Sequence, residues 1–135
     1  MNIYLDIYGV FKGTESPNAD LVELMTFILD HFPGRVYWLT SYCNGVNNSR
    51  RVLAGIFDDE LLDRIEAEIQ VTQWGEYKSN AIDFSEEFLW LDDILRPADK
   101  EILLQHNVLN NYIPMNWRDP LMAKKALGEV VNRLK

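Results

Sequence analysis

Met1-Asn2-Ile3-Tyr4-Leu5-Asp6-Ile7-Tyr8-Gly9-Val10-Phe11 is the stretch on which the reading of this chain turns. Ile3, Tyr4 and Leu5 form a short run of strand-favouring apolar residues that stops at Asp6. Gly9 stands shortly after, where a strand feeding a tight turn wants a residue without a Cβ. A carboxylate at the carboxyl end of a buried parallel strand lies in the crevice where open α/β sheets bind ligands. Asp6 is either such a group or the residue that starts a turn, and the rest of the chain bears on the choice.

Downstream, Ser16-Pro17 reads as a helix start, with Ser as N-cap and Pro at the first helical position. Leu21, Leu24, Met25, Ile28 and Phe32 recur at helical spacing, Val22 and Leu29 widen the stripe, and Pro33-Gly34 ends it. Val36-Tyr37-Trp38-Leu39 is a second apolar strand, ending in Thr40-Ser41, so the chain opens with a βαβ unit and parallel strands. A helix is expected over roughly 46–56, a short acidic one over 59–68, a short strand within 69–74, and a helical turn or two over 77–84. Phe88-Leu89-Trp90-Leu91 is a third strand, ending in Asp92-Asp93; Pro97 opens a helix through about Gln105. Tyr112-Ile113-Pro114-Met115 reads as a strand whose Pro suits a sheet edge. A last amphipathic helix after Asp119-Pro120 offers Leu121, Ala126, Leu127, Val130, Val131 and Leu134 for packing. With no repeat or linker, residues 1–135 read as one α/β domain with a mostly parallel, Rossmann-like sheet in three layers.

Composition narrows the function classes. Apolar residues make up 47% of the chain, enough for a substantial core. Thirteen Lys and Arg against 21 Asp and Glu give a net charge of −8, which argues against a general basic nucleic-acid-binding surface. Cys43 is the lone cysteine, so neither an internal disulfide nor a cysteine zinc cluster is available. No apolar run approaches the ~20 residues of a membrane helix, and the first strand begins without a leader pattern. The expectation is a cytoplasmic protein with no membrane association.

Three strands that end in Asp6, Thr40 and Asp92-Asp93 would, as parallel neighbours, gather these side chains along one sheet edge. Together with Lys78, their order resembles the haloacid dehalogenase (HAD) superfamily. Its four motifs are an Asp after the first strand, Thr or Ser after the second, a Lys, and an acidic pair after a later strand. They read here as Leu5-Asp6-Ile7-Tyr8-Gly9-Val10, Leu39-Thr40-Ser41, Lys78, and Trp90-Leu91-Asp92-Asp93. The intervals between motifs are filled by core elements, which resembles the members without a sizeable cap domain. Within that group, Trp38-Leu39-Thr40-Ser41 with Asn47 or Asn48 following, and Trp90-Leu91-Asp92-Asp93, are similar to small capless domains linked to RNA repair.

The resemblance implies a hydrolase acting on phosphate esters. Asp6 would attack phosphorus to form an aspartyl-phosphate that water then hydrolyses. Asp6, Asp92, Asp93 and the backbone carbonyl of Tyr8 would hold a magnesium ion (Mg²⁺). Thr40 would donate a hydrogen bond to a phosphoryl oxygen, and Lys78 would offset the charge of nucleophile and phosphoryl group. Tyr8, Ser41 and Asn47 are candidate substrate contacts, although an Asn near a helix start also serves as a cap. Asp99 reads as a surface helix residue rather than as a further metal ligand. An open site favours a large phosphorylated substrate, a nucleic-acid end or a protein, or a cap from a neighbouring subunit, and so leaves oligomerisation open.

Tyr8 is the departure. Phosphatases of the superfamily usually carry a second Asp there as general acid and base, and a phenol with a pKa of about 10 is a poor base near neutrality. Losing such a group forfeits about 10²–10⁴ in rate. Two alternatives follow. One is a HAD-derived binding or regulatory domain with impaired catalysis. The other, ranked lower, is a dehalogenase-like hydrolase, whose Asp-x-Tyr-Gly pattern this chain shares without the enclosing cap.

Overall fold

The computed structural model describes residues 1–135, all in one α/β core. Five strands make an all-parallel sheet in the order β3-β2-β1-β4-β5. They are β1 (Asn2–Leu5), β2 (Val36–Trp38), β3 (Ile69–Val71), β4 (Phe88–Asp92) and β5 (Tyr112–Pro114). The helices are α1 (Asn18–His31), α2 (Ser49–Leu53), α3 (Asp59–Glu68), α4 (Pro97–Gln105) and α5 (Met122–Arg133). No domain interrupts this alternation to cap the sheet, and no helix is long and apolar enough to cross a membrane.

Parallel strands covered on both faces read as continuous apolar runs, which is why β1 and β4 are buried along their whole length. Strand alternation divides their side chains between two cores. Ile3, Leu5, Trp38, Leu89 and Leu91 join α1, α3 and α5 in a cluster of 28 buried residues. Tyr4, Phe88 and Trp90 join Leu39, Ile82 and Leu103 of α4 in a cluster of six on the other face. Trp38 and Trp90 are therefore core aromatics.

β1 lies where the topology reverses, with β2 and β3 on one side and β4 and β5 on the other. Pairing continues one residue past the strands: Asp6 N–H donates to Leu91 O (3.0 Å) and Leu39 N–H to Leu5 O (2.7 Å). The ends of β1, β2 and β4 are thus held level, at the switch point where doubly wound sheets bind ligands.

Several local expectations are corrected. Pro17, not Ser16, occupies the N-cap of α1; Ser16 turns inward, and its hydroxyl accepts the Ala123 N–H at the start of α5 (3.1 Å). Val22, Leu121 and Leu134 are exposed, because the covered stripes of α1 and α5 are narrower than their apolar patterns. The helix expected over 46–56 shortens to α2, which starts after an Asn47–Ser49 turn and ends before the positive φ of Gly55. The segment 77–84 contributes one 3₁₀ turn, Lys78–Ala81.

Candidate active site

Asp6, one residue beyond β1, is buried, and its Oδ1 accepts the Ile7 N–H (2.9 Å). The Ile7 carbonyl then accepts N–H groups from Val10, Phe11 and Lys12, winding the following residues into a tight loop closed by Gly9 N–H to Lys12 O (2.7 Å). Gly9 has φ +82°, and a Cβ there would lie 2.3 Å from Asp93 Oδ2. The glycine therefore serves both the turn and the approach of the second acidic residue.

Asp92, the last residue of β4, is buried next to Asp6. Its Oδ2 accepts from Lys78 Nζ (2.8 Å) and its Oδ1 from the Ile94 N–H (3.2 Å). The same ammonium lies 3.5 Å from Asp6 Oδ1. One carboxylate oxygen from each of Asp6, Asp92 and Asp93 falls within 4.8 Å of the others. Three carboxylates facing one ammonium leave an excess of negative charge. Burial and the neighbouring Asp92 push the Asp6 carboxyl up to about 7, although Lys78 and the Thr40 hydroxyl pull it back. Burial also raises Asp92 and Asp93 above the usual carboxylate range.

Thr40 is buried at the end of the β2 segment and caps the 3₁₀ turn Ser41–Cys43, its hydroxyl accepting the Tyr42 N–H (3.4 Å). Ser41 and Tyr8 line the same cleft as Asp6, Lys78, Asp92 and Asp93. Tyr8 is 52% exposed and lies over Gly13, where a Cβ would come within 2.9 Å of its ring. Asn47 is not part of the cleft. Its side-chain oxygen is taken up by the Ser49 N–H (3.1 Å) and hydroxyl (2.6 Å) in a local turn ahead of α2, whose N-cap position is Asn48.

Two supporting residues escape a reading of the sequence. Asp99, expected at the surface, is only 2% exposed, and its Oδ1 accepts both the Ser79 N–H (3.0 Å) and hydroxyl (2.6 Å). It thereby ties α4 to the turn that presents Lys78. The signal was available, since Asp99 and Leu103 stand four apart on the buried side of α4. Tyr112 donates its hydroxyl to the Asp92 carbonyl (2.9 Å), reaching across from β5, a contact set by strand register that one sequence does not disclose.

The donor set suits a hard divalent cation: clustered carboxylate oxygens, raised pKa values that a cation would lower, and no competing thiol or imidazole. Comparison with protein-family models, curated proteins and solved structures found no match for the chain.

Proposed function

We propose that this chain is a HAD-like, magnesium-dependent hydrolase of phosphate esters, working through an aspartyl-phosphate on Asp6. One observation carries the reading. Lys78, from a turn far along the chain, stands between the carboxylates of Asp6 and Asp92 at the switch point of a parallel sheet, with Asp93 alongside. A lone Asp at a strand end starts turns. Three that converge on one another, two of them on one lysine, at the expense of raised pKa values, are better explained by a ligand charge to be met.

In this reading Asp6, Asp92 and Asp93 hold the ion, whose charge lowers the nucleophile's pKa and screens the phosphoryl oxygens. Asp6 attacks phosphorus while Lys78 keeps its carboxylate ionised and oriented. The Thr40 hydroxyl would donate to a phosphoryl oxygen, with Ser41 as a further contact from the cleft lining. Asp99 is a positioning residue that acts through the Lys78 turn.

Titration calorimetry of Mg²⁺ in the presence of a phosphate mimic tests the reading. Binding is expected for the wild type and lost in Asp6→Asn and Asp92→Asn. A wild type that binds neither ion nor mimic would overturn it. Tyr8 supports a second reading, a binding domain with little turnover, because it stands two residues after Asp6, where phosphatases of the resembled superfamily carry their acid–base Asp. Tyr8→Asp separates the two: turnover rises if the remaining machinery is intact and stays absent otherwise.

A further inference from the structure

The wall of the cleft is unlike its floor. Above the carboxylates it is lined by Tyr8, Tyr42, Trp74 and Ile94, with Glu76 and Arg96 as charged neighbours. Ile94 is 62% and Tyr42 36% exposed. Bulky apolar groups left in water beside a charged site mark a surface that something apolar covers. The wall is also held in place. Asn44 clamps the Trp74 backbone from both sides, donating to its carbonyl (2.9 Å) and accepting its N–H (2.9 Å). Tyr8 rests on Gly13, the one residue type that leaves its ring room there. The cleft, open on one side to solvent, has a volume of about 200 Å³. A buried cavity of about 150 Å³ takes one benzene, so this cleft has room for a phosphoryl group and a single ring.

We propose that the substrates are aryl phosphate monoesters, with phosphorus carried on a phenolic oxygen and the ring held against Tyr8, Tyr42 and Trp74. This rests on the phosphohydrolase reading above and makes sense of its weakest point. An alkyl ester leaves as an alkoxide, whose conjugate acid is about as weak as water (pKa about 16), so its departure depends on a proton donor. A phenolate, with a conjugate acid near pKa ~10, leaves far more readily without one. A cleft with Tyr in place of the acid, and rings around its mouth, is matched to that leaving group on both counts.

The steps balance without a further reactant. A carboxylate oxygen of Asp6 bonds to phosphorus as the phosphorus–aryl oxygen bond breaks, and the electron pair departs on the phenolate, which takes a proton from solvent. Water then bonds to phosphorus, the bond to Asp6 breaks, and inorganic phosphate leaves with the water proton passed to solvent. The second step is the same for every ester. Where that hydrolysis is the slow step, kcat is shared among aryl substrates and preceded by a burst, and in either case kcat/KM reports the leaving group.

The experiment compares phenyl phosphate, propyl phosphate, a phosphotyrosine peptide and a 5′-phosphorylated oligonucleotide on the Mg²⁺-loaded protein. Expected is a kcat/KM for phenyl phosphate about 10³-fold above propyl phosphate, with the oligonucleotide, also an alkyl ester, as poor as the latter. Tyr8→Asp should raise the alkyl esters about 10²-fold or more and the aryl ester much less. Trp74→Ala should raise the aryl KM about 3- to 10-fold and so narrow the aryl-to-alkyl ratio of kcat/KM, with Trp74→Phe, which keeps a ring, close to wild type in that ratio. A phosphotyrosine peptide that surpasses phenyl phosphate supports the proposal with a protein as the source of the ring, and the reverse order supports it with a small molecule. Equal alkyl and aryl kcat/KM in the wild type, or a ratio unmoved by Tyr8→Asp, overturns the aryl proposal and leaves the phosphohydrolase standing. Absence of turnover and of phosphate on Asp6 with every ester overturns both.

Discussion

On one face of the sheet, α1, α3 and α5 bury 28 side chains in a continuous apolar cluster; on the other, α4 and short 3₁₀ turns cover a cluster of six. The thin face nevertheless carries the side chains that meet at the switch point: Lys78 on its turn, Asp99 on α4 and Tyr112 reaching in from β5. Its order comes less from packing than from hydrogen bonds, Asp99 to Ser79, Tyr112 to Asp92, and Asp83 N–H to the Tyr4 hydroxyl (3.0 Å). The contrast teaches a division of labour. Apolar area on the thick face supplies stability, and the thin face, relieved of that duty, can hold polar groups in directions a dense core would not accommodate.

Substitutions can break that division in graded fashion. The largest loss of stability is expected from Leu24→Ala, fully buried in α1 on the thick face, at about 2–5 kcal/mol in urea unfolding. The Mg²⁺ affinity of the folded fraction should not change. A comparable loss of affinity would show that the two faces are not separate. Next is Asp99→Ala on the thin face, which strands the Ser79 N–H and hydroxyl and costs about 1–3 kcal/mol. Its signature is functional: kcat/KM should fall about 10-fold or more with ion affinity kept, as for a misplaced group, and Asp99→Asn, which retains an acceptor, should recover most of it.

The charged edge between the faces predicts a pH effect. Asp6 has a folded-state pKa of about 7 against an ordinary 3.8, so between those values the folded chain binds a proton that the unfolded chain has lost. This favourable contribution is complete below pH ~4 and disappears as pH rises toward ~7. In metal-free protein, Asp6→Asn should therefore gain in Tm relative to wild type by about 3 °C or more between pH 4.5 and 7.5, and Mg²⁺ should oppose the wild-type loss. Parallel melting curves for the two proteins across that range would contradict the assignment. The smallest effect is expected far from both cores. Arg50, on the surface, pairs with Asp59, Asp63 and Glu66 of α3, and Arg50→Ala should leave the urea midpoint nearly unchanged, with any shift vanishing in high salt.

Elements whose character is local were legible from residues alone. β1 and β4 are unbroken apolar runs closed by carboxylates, and α4 begins at its proline and ends at Gln105 as the pattern predicts. The convergence of Asp6, Thr40, Asp92 and Asp93 was likewise foreseeable, because parallel neighbours must bring their ends together, whereas Lys78 stands on a turn and only its order among the motifs pointed to it. Features that depend on distant partners were not. Ser16 looks like a cap until α5 arrives to claim its hydroxyl, and Asp99 looks like a solvated helix residue until Ser79, twenty positions earlier, needs an acceptor. Val22 and Leu121 carry the helical period but stay exposed, since periodicity gives a direction and not the width of what covers it.

The two outer strands carry a consequence for how molecules of this chain meet one another. β3 and β5 are three residues long, and β5 closes on Pro114, which has no N–H to offer. A growing β-assembly needs a long, flat row of free donors and acceptors as its template. Neither border of this sheet presents one, so concentrated solutions are expected to resist strand-by-strand aggregation even though the interior strands are among the most apolar segments of the sequence.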